Sequence, residues 1–169
     1  MVQLHSDITV GERVYRRGEP MPARIIYPFF LVHMLVFGAS GFFMAYGRGV
    51  SLAFLYMHGG FAIFIYVMFY LAIFGREEVK WMFINAALGL LGITAEIDWL
   101  LSFLGKSISS YPWYVHVIPF LYYVLYTFLL RQALLHWTGA HEDEAKARAV
   151  NRGYVFTSLL VYGGLHLLG

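Results

Sequence analysis

Seven polar side chains fall within long apolar stretches of this chain and are of types that do chemistry: His33, His58, Asn85, Glu96, Asp98, His116 and His166. An ionisable group at membrane depth is costly unless it is paired or lines a wet cavity, so each is a functional candidate. Glu96 stands out because no basic residue lies at its depth in the sequence. A carboxyl in apolar surroundings holds its proton more tightly than in water, which suits it to general acid or base work near neutral pH. The expected catalytic set is Glu96 with His58 and His116, which would orient it or share its proton, and Asp98 beside them.

Helical geometry sorts these candidates. Glu96 and Asp98 are two residues apart and point about 200° away from each other on a helix. Glu96 shares a stripe with Asn85, Gly89 and Gly92, small and polar as membrane helix interfaces tend to be. Asp98 falls on the opposite stripe with Leu91 and Thr94, nearer the water. His116, Phe120, Tyr123 and Thr127 share one face of a later helix. Asn85, Trp99, Tyr123 and Tyr126 are the expected substrate contacts, since aromatic faces can stabilise a developing positive charge. Tyr56, Tyr66 and Tyr122 extend the aromatic wall. The expected pocket thus lies between several helices and opens toward one leaflet.

The elements that must position these residues are membrane spans. The chain has 169 residues, of which 60% are hydrophobic and 13% charged, against about 45–50% and 25% in soluble domains. Crossing a hydrocarbon core takes roughly 20 apolar residues in a helix. Five segments approach this: 25–46, 52–74, 81–104, 113–136 and 150–168. The fold class expected is an all-α integral membrane protein, a five-helix up-down bundle over 23–169, because the connectors are short. With the N-terminus cytoplasmic and the C-terminus outside, Arg48 and Lys106 are the only outer residues among the 12 Lys and Arg, a strong positive-inside bias. Residues 1–22 form a polar cytoplasmic arm, with loosely alternating apolar residues that suit a small hairpin and a turn-rich break at Gly18–Pro22. The first apolar run is too long for a cleaved leader and reads as a signal anchor. The location expected is a multi-pass membrane protein of a bacterial inner membrane.

Several functions are excluded or disfavoured. The net charge of +2 and the dispersed basic residues give no basis for a nucleic-acid partner. The absence of cysteine removes disulfides, thiolate catalysis and Cys-ligated metal clusters. No spaced His/Glu zinc motif, Gly-x-Ser-x-Gly elbow or mid-span lysine is present, and no metal ligand set is assigned. His136 and His141 read as polar residues of the inner face. The first span, with His33 followed by Gly38 and Gly41, resembles the haem-carrying spans of b-type cytochrome subunits. That resemblance implies a cofactor-binding or anchoring subunit of a larger redox or photosynthetic complex, carrying haem b, quinone or pigment and with membrane-protein partners; if the group is haem, His33, His58, His116 and His166 would hold it. His33 and His58 differ in height by about 7 Å, so His58 with His116, or His116 with His166, is the easier pair. The leading reading is a small membrane enzyme acting on a lipid or isoprenoid-like substrate, a hydrophobic small molecule drawn from the bilayer, by acid–base chemistry and with no required cofactor.

Overall fold

The structure is a computed structural model that describes residues 1–47, 49 and 51–168, without the side chains of Val10, Ile25, Leu165, His166 and Leu168. Arg48, one of the two basic residues expected outside, lies outside the described residues. The chain is mostly helical: α1 (Ala23–Tyr46), α2 (Leu52–Phe74), a single turn α3 (Arg76–Val79), α4 (Trp81–Ser102), α5 (Val117–Trp137) and α6 (Glu144–Leu168). Among the described residues four stretches are helical, long and apolar enough to cross a membrane: Ile26–Tyr46, Leu52–Phe74, Arg76–Ser102 and Trp113–Trp137. Helices suit this composition because every backbone N–H and C=O must find its partner within the segment when no water is present. α6 is not one of the four, since its first turns carry Glu144, Lys146, Arg148 and Arg152. It begins at Glu144, where residues of good helix propensity extend the apolar run of 150–168 on its polar side. The Asp143 carboxylate accepts the N–H groups of Ala145 and Lys146 at 2.9 and 3.1 Å and so starts the helix earlier. α4 stops at Ser102 rather than 104, and α5 is preceded by a 3-10 turn at Trp113–His116.

α5 is the central helix, packing on α1, α2, α4 and α6. The short connectors suggest that neighbours in sequence should be the main neighbours in space. Instead α2 and α4 are not principal partners, because α5 stands between them. The reason lies in its side chains: Ile118, Tyr122, Leu125, Phe128, Leu129, Ala133 and Leu135 are all buried, leaving little of its circumference for lipid. The small stripe of α4 faces its neighbours as its composition implies. A Cβ on Gly89 would press on the Tyr123 ring, and one on Gly92 would overlap the Tyr162 ring of α6. Tyr162, only 7% exposed, is thus the wedge that seats α6 on α4.

The arm closes one end of the bundle. It forms two short antiparallel ribbons, β1 (Val2–Gln3) with β4 (Pro20–Met21) and β2 (Ile8–Val10) with β3 (Arg13–Tyr15). The last carbonyls of any helix lack intrahelical partners. Here the arm supplies them: the N–H groups of His5 and Ser6 donate to Ala72 O at 2.8 and 3.2 Å, and His5 Nδ1 donates to Ile73 O at 3.2 Å. Leu4 is buried beside them. Gly75 makes this possible, with φ of 84° and no side chain to collide with the His5 ring. Within the arm, Asp7 accepts the Arg17 N–H at 2.7 Å and pairs with Arg16 at 3.3 Å. The Arg17 N–H, with the Arg16 guanidinium beside it, holds the Asp7 carboxyl below its ordinary range.

Candidate functional site

The stripe that seats α4 against its neighbours ends at Glu96, one turn beyond Gly92. There the packing opens into a cavity of about 570 Å³ between α1, α4 and α5. Its α1 wall is Met34, Gly38 and Phe42; its α4 wall is Ile93, Glu96, Ile97 and Leu100; its α5 wall is Pro119, Tyr122, Tyr123 and Tyr126. Glu96 is the only Asp, Glu, Lys, Arg or His among the lining residues. Its carboxyl makes no hydrogen bond to any described residue. The Tyr122 hydroxyl is buried and also without a hydrogen-bond partner among the described residues. Gly38 leaves the α1 wall open, because a Cβ there would touch nothing within 4 Å. The site is therefore an apolar groove, open along one side where Leu35, Phe43 and Phe103 are exposed, with one carboxyl and three tyrosines.

The pocket expected to gather Glu96 with His58 and His116 is divided. His58 lies on the exposed side of α2 and lines a different cavity, together with His33. The reason is the position of α5, which fills the space between α2 and α4. His116 lies at the end away from the arm, where its Nδ1 and the Tyr46 hydroxyl are 2.7 Å apart. The Tyr46 carbonyl in turn accepts from Lys106 Nζ at 2.5 Å and Tyr111 Oη at 3.1 Å. This cluster ties the 103–116 connector to the end of α1. Asp98 also organises that connector: its Oδ1 accepts the Ile108 N–H at 2.7 Å and Ser107 Oγ at 3.1 Å, anchoring the 3-10 turn Ile108–Ser110.

The expected substrate contacts divide in the same way. Tyr123 and Tyr126 line the Glu96 cavity. Trp99 is on the outer face of α4, 58% exposed and edge-on to Phe103 at 4.9 Å. Asn85 is buried and lines neither cavity; both atoms of its amide lack partners among the described residues. The easier histidine pairs, His58 with His116 and His116 with His166, are not assembled among described atoms: His116 is engaged by Tyr46, and the His166 side chain lies outside the described residues. The pair that height alone disfavoured, His33 and His58, is the one that shares a cavity. Among the described residues no three His, Asp or Glu side chains cluster around a point that could hold a metal ion.

A further polar centre was hidden in the sequence. Arg131 reads there as a loop charge at the end of a span. In the structure it is 1% exposed, with Nη1 on Glu78 Oε2 at 2.8 Å, Nε on Asn151 Oδ1 at 2.9 Å, and its guanidinium 3.8 Å above the Trp81 ring. Gln132 donates to the same Glu78 oxygen at 2.7 Å. The available signal was the combination Arg131-Gln132 with Glu78 and Trp81, all at one end of three adjacent spans. Comparison of the chain with known protein families, with curated proteins and with solved structures finds no match.

Proposed function

We propose that the protein is a small multi-pass membrane enzyme that draws a lipid or isoprenoid-like substrate into the cavity between α1, α4 and α5 and moves a proton at Glu96. One observation carries this reading: a single carboxyl, free of hydrogen bonds to described residues, in an otherwise uncharged and largely apolar chamber. Such chambers, with a few polar groups for orientation, are the usual form of small-molecule sites. Tyr122, with its unpartnered hydroxyl, supplies a second polar contact; Tyr123 and Tyr126 supply aromatic faces. His58 and His116 face elsewhere and are not part of the chemistry.

The topology that accompanies this reading has five spans running up and down, with α6 as the fifth, in a bacterial inner membrane. The arm is cytoplasmic and the C-terminus outside. The charge distribution supports it. The apolar part of α6 from Gly153 onward rises about 24 Å, short for a span unless its basic first turns reach into the headgroups. Glu96 then lies in the outer half of the bilayer.

The test is a comparison of membrane lipids from cells producing the wild-type protein, Glu96→Gln and Gly38→Phe. A lipid consumed, and a product formed, only by the wild type is the expected result. Glu96→Gln keeps the shape and removes the titrating group; Gly38→Phe fills the chamber. Unchanged turnover in Glu96→Gln would sink the proposal.

A further inference from the structure

A second cavity of about 720 Å³ lies between α1 and α2 and shares no lining residue with the Glu96 chamber. The arm bounds it at one end through Ile8, Tyr15 and Met21, and from there it runs along both helices to Phe37 and His58. From Ile73 to His58 on α2 this is about 22 Å at the helical rise. No Asp, Glu, Lys or Arg lines it, so a charged head group finds nothing there to pair with. Its polar groups are His33, His58 and two tyrosines.

The two histidines are set differently. His33 Nδ1 donates to Phe29 O at 2.8 Å, which fixes the neutral ring as the Nδ1–H tautomer. Its Nε2 is therefore a lone-pair acceptor. His58 makes no hydrogen bond to any described residue. Its ring stands in a column between Phe54 (5.7 Å, 10° between planes) and Phe37 (6.3 Å, 27°). In either neutral tautomer it retains one N–H to donate. His33 is half-buried and His58 lies at the open edge of the cavity, so both ring faces that lack partners among the described residues are accessible to a ligand. The parallel column of rings beside them favours a flat aromatic head over an aliphatic alcohol.

We propose that this cavity binds a hydroxylated aromatic ring carried on a long apolar tail, the chemistry of a prenylated hydroquinone. One ring hydroxyl donates to His33 Nε2, the second oxygen accepts from His58, and the tail runs between Phe30, Ile65 and Phe69 toward the arm. The site is independent of Glu96.

The test uses the full chain in detergent micelles and two probes, decylhydroquinone and decylbenzene, which share a tail and a ring but differ in hydroxyls. Equilibrium dialysis should show the hydroquinone binding at least about tenfold more tightly, the equivalent of one well-made hydrogen bond. His33→Phe should lower the hydroquinone affinity toward that of decylbenzene, with only the His58 contact left, while leaving decylbenzene itself unchanged, which also reports an intact cavity. Glu96→Gln should change neither probe, so failure here is separable from failure of the enzymatic reading. Equal binding of the two probes, or full hydroquinone affinity in His33→Phe, would overturn the proposal. So would a Soret band in the purified protein that His33→Phe abolishes, since haem would then occupy these histidines.

Discussion

The Arg131 cluster and the Glu96 site each place an ionisable side chain between helices, and they treat that group in opposite ways. Arg131 is buried with a carboxylate, an amide oxygen and an indole face around it. Glu96 sits in a chamber that offers it no hydrogen bond from any described residue. A buried ion pair that is fully engaged gives little net stability over apolar residues, but losing one partner is expensive. An acid without partners gives no stability at all and remains open to a ligand. The difference separates an ionisable group that fixes how helices meet from one that makes no such contact with any described residue.

The largest test of this contrast is Arg131→Met. It removes the guanidinium from Glu78, Asn151 and Trp81 together. We expect a loss of about 3 kcal/mol in unfolding free energy, at the lower end for a broken buried pair because Glu78 is 38% exposed and can turn to water. Denaturation in mixed micelles measures it. Next is Gly92→Ala, whose Cβ overlaps the Tyr162 ring. Overpacking of this kind costs about 1–3 kcal/mol. The same substitution in a Tyr162→Ala background should cost much less, and a double-mutant cycle reads the difference. Glu96→Gln should change stability by less than about 1 kcal/mol, although it is expected to abolish turnover; a large destabilisation would erase the distinction between the two centres.

Much of the architecture was legible because membrane helices announce themselves by length and hydropathy. The starts and ends of α1 and α2 match the apolar runs to within two residues of 25–46 and 52–74. The stripe Asn85–Gly89–Gly92–Glu96 follows from helical spacing alone. What spacing does not give is which helix lies beside which. α5 in the centre separated His58 from Glu96, and no property of either residue encodes that. Asp98 and His116 carried the same types as catalytic groups but bind connector backbone and a tyrosine, contacts that depend on how residues 103–116 fold back. The burial of Arg131 is not legible, because a basic residue at a span end is ordinarily in water and its burial depends on α6 and α3 covering it.

The smallest expected effect concerns the arm, a third polar region that sharpens the contrast from the solvent side. Asp7 is held below the ordinary carboxylate range by the Arg17 N–H and by Arg16. A depressed carboxyl contributes stability that is present above its unfolded pKa and lost as the pH falls through its folded one. The arm should therefore be fully docked at neutral pH and loosen in acid, with Asp7→Asn loosening it at any pH. Faster hydrogen exchange at the amides of His5 and Ser6 would report both; identical exchange in Asp7→Asn would remove Asp7 from the account.

The hydrogen bonds from His5 to the end of α2 also set an order of events during synthesis. His5 and its acceptor Ile73 are separated by 68 residues. At about 5–20 residues per second, roughly 3–14 s pass between making the first and making the second. For that interval the two ribbons have no helix end to close upon, and the carbonyls of Ala72 and Ile73 do not yet exist. A segment made before both helices is thus among the later parts to settle. The end of the α1–α2 groove that Ile8, Tyr15 and Met21 line is therefore complete only once the arm has docked.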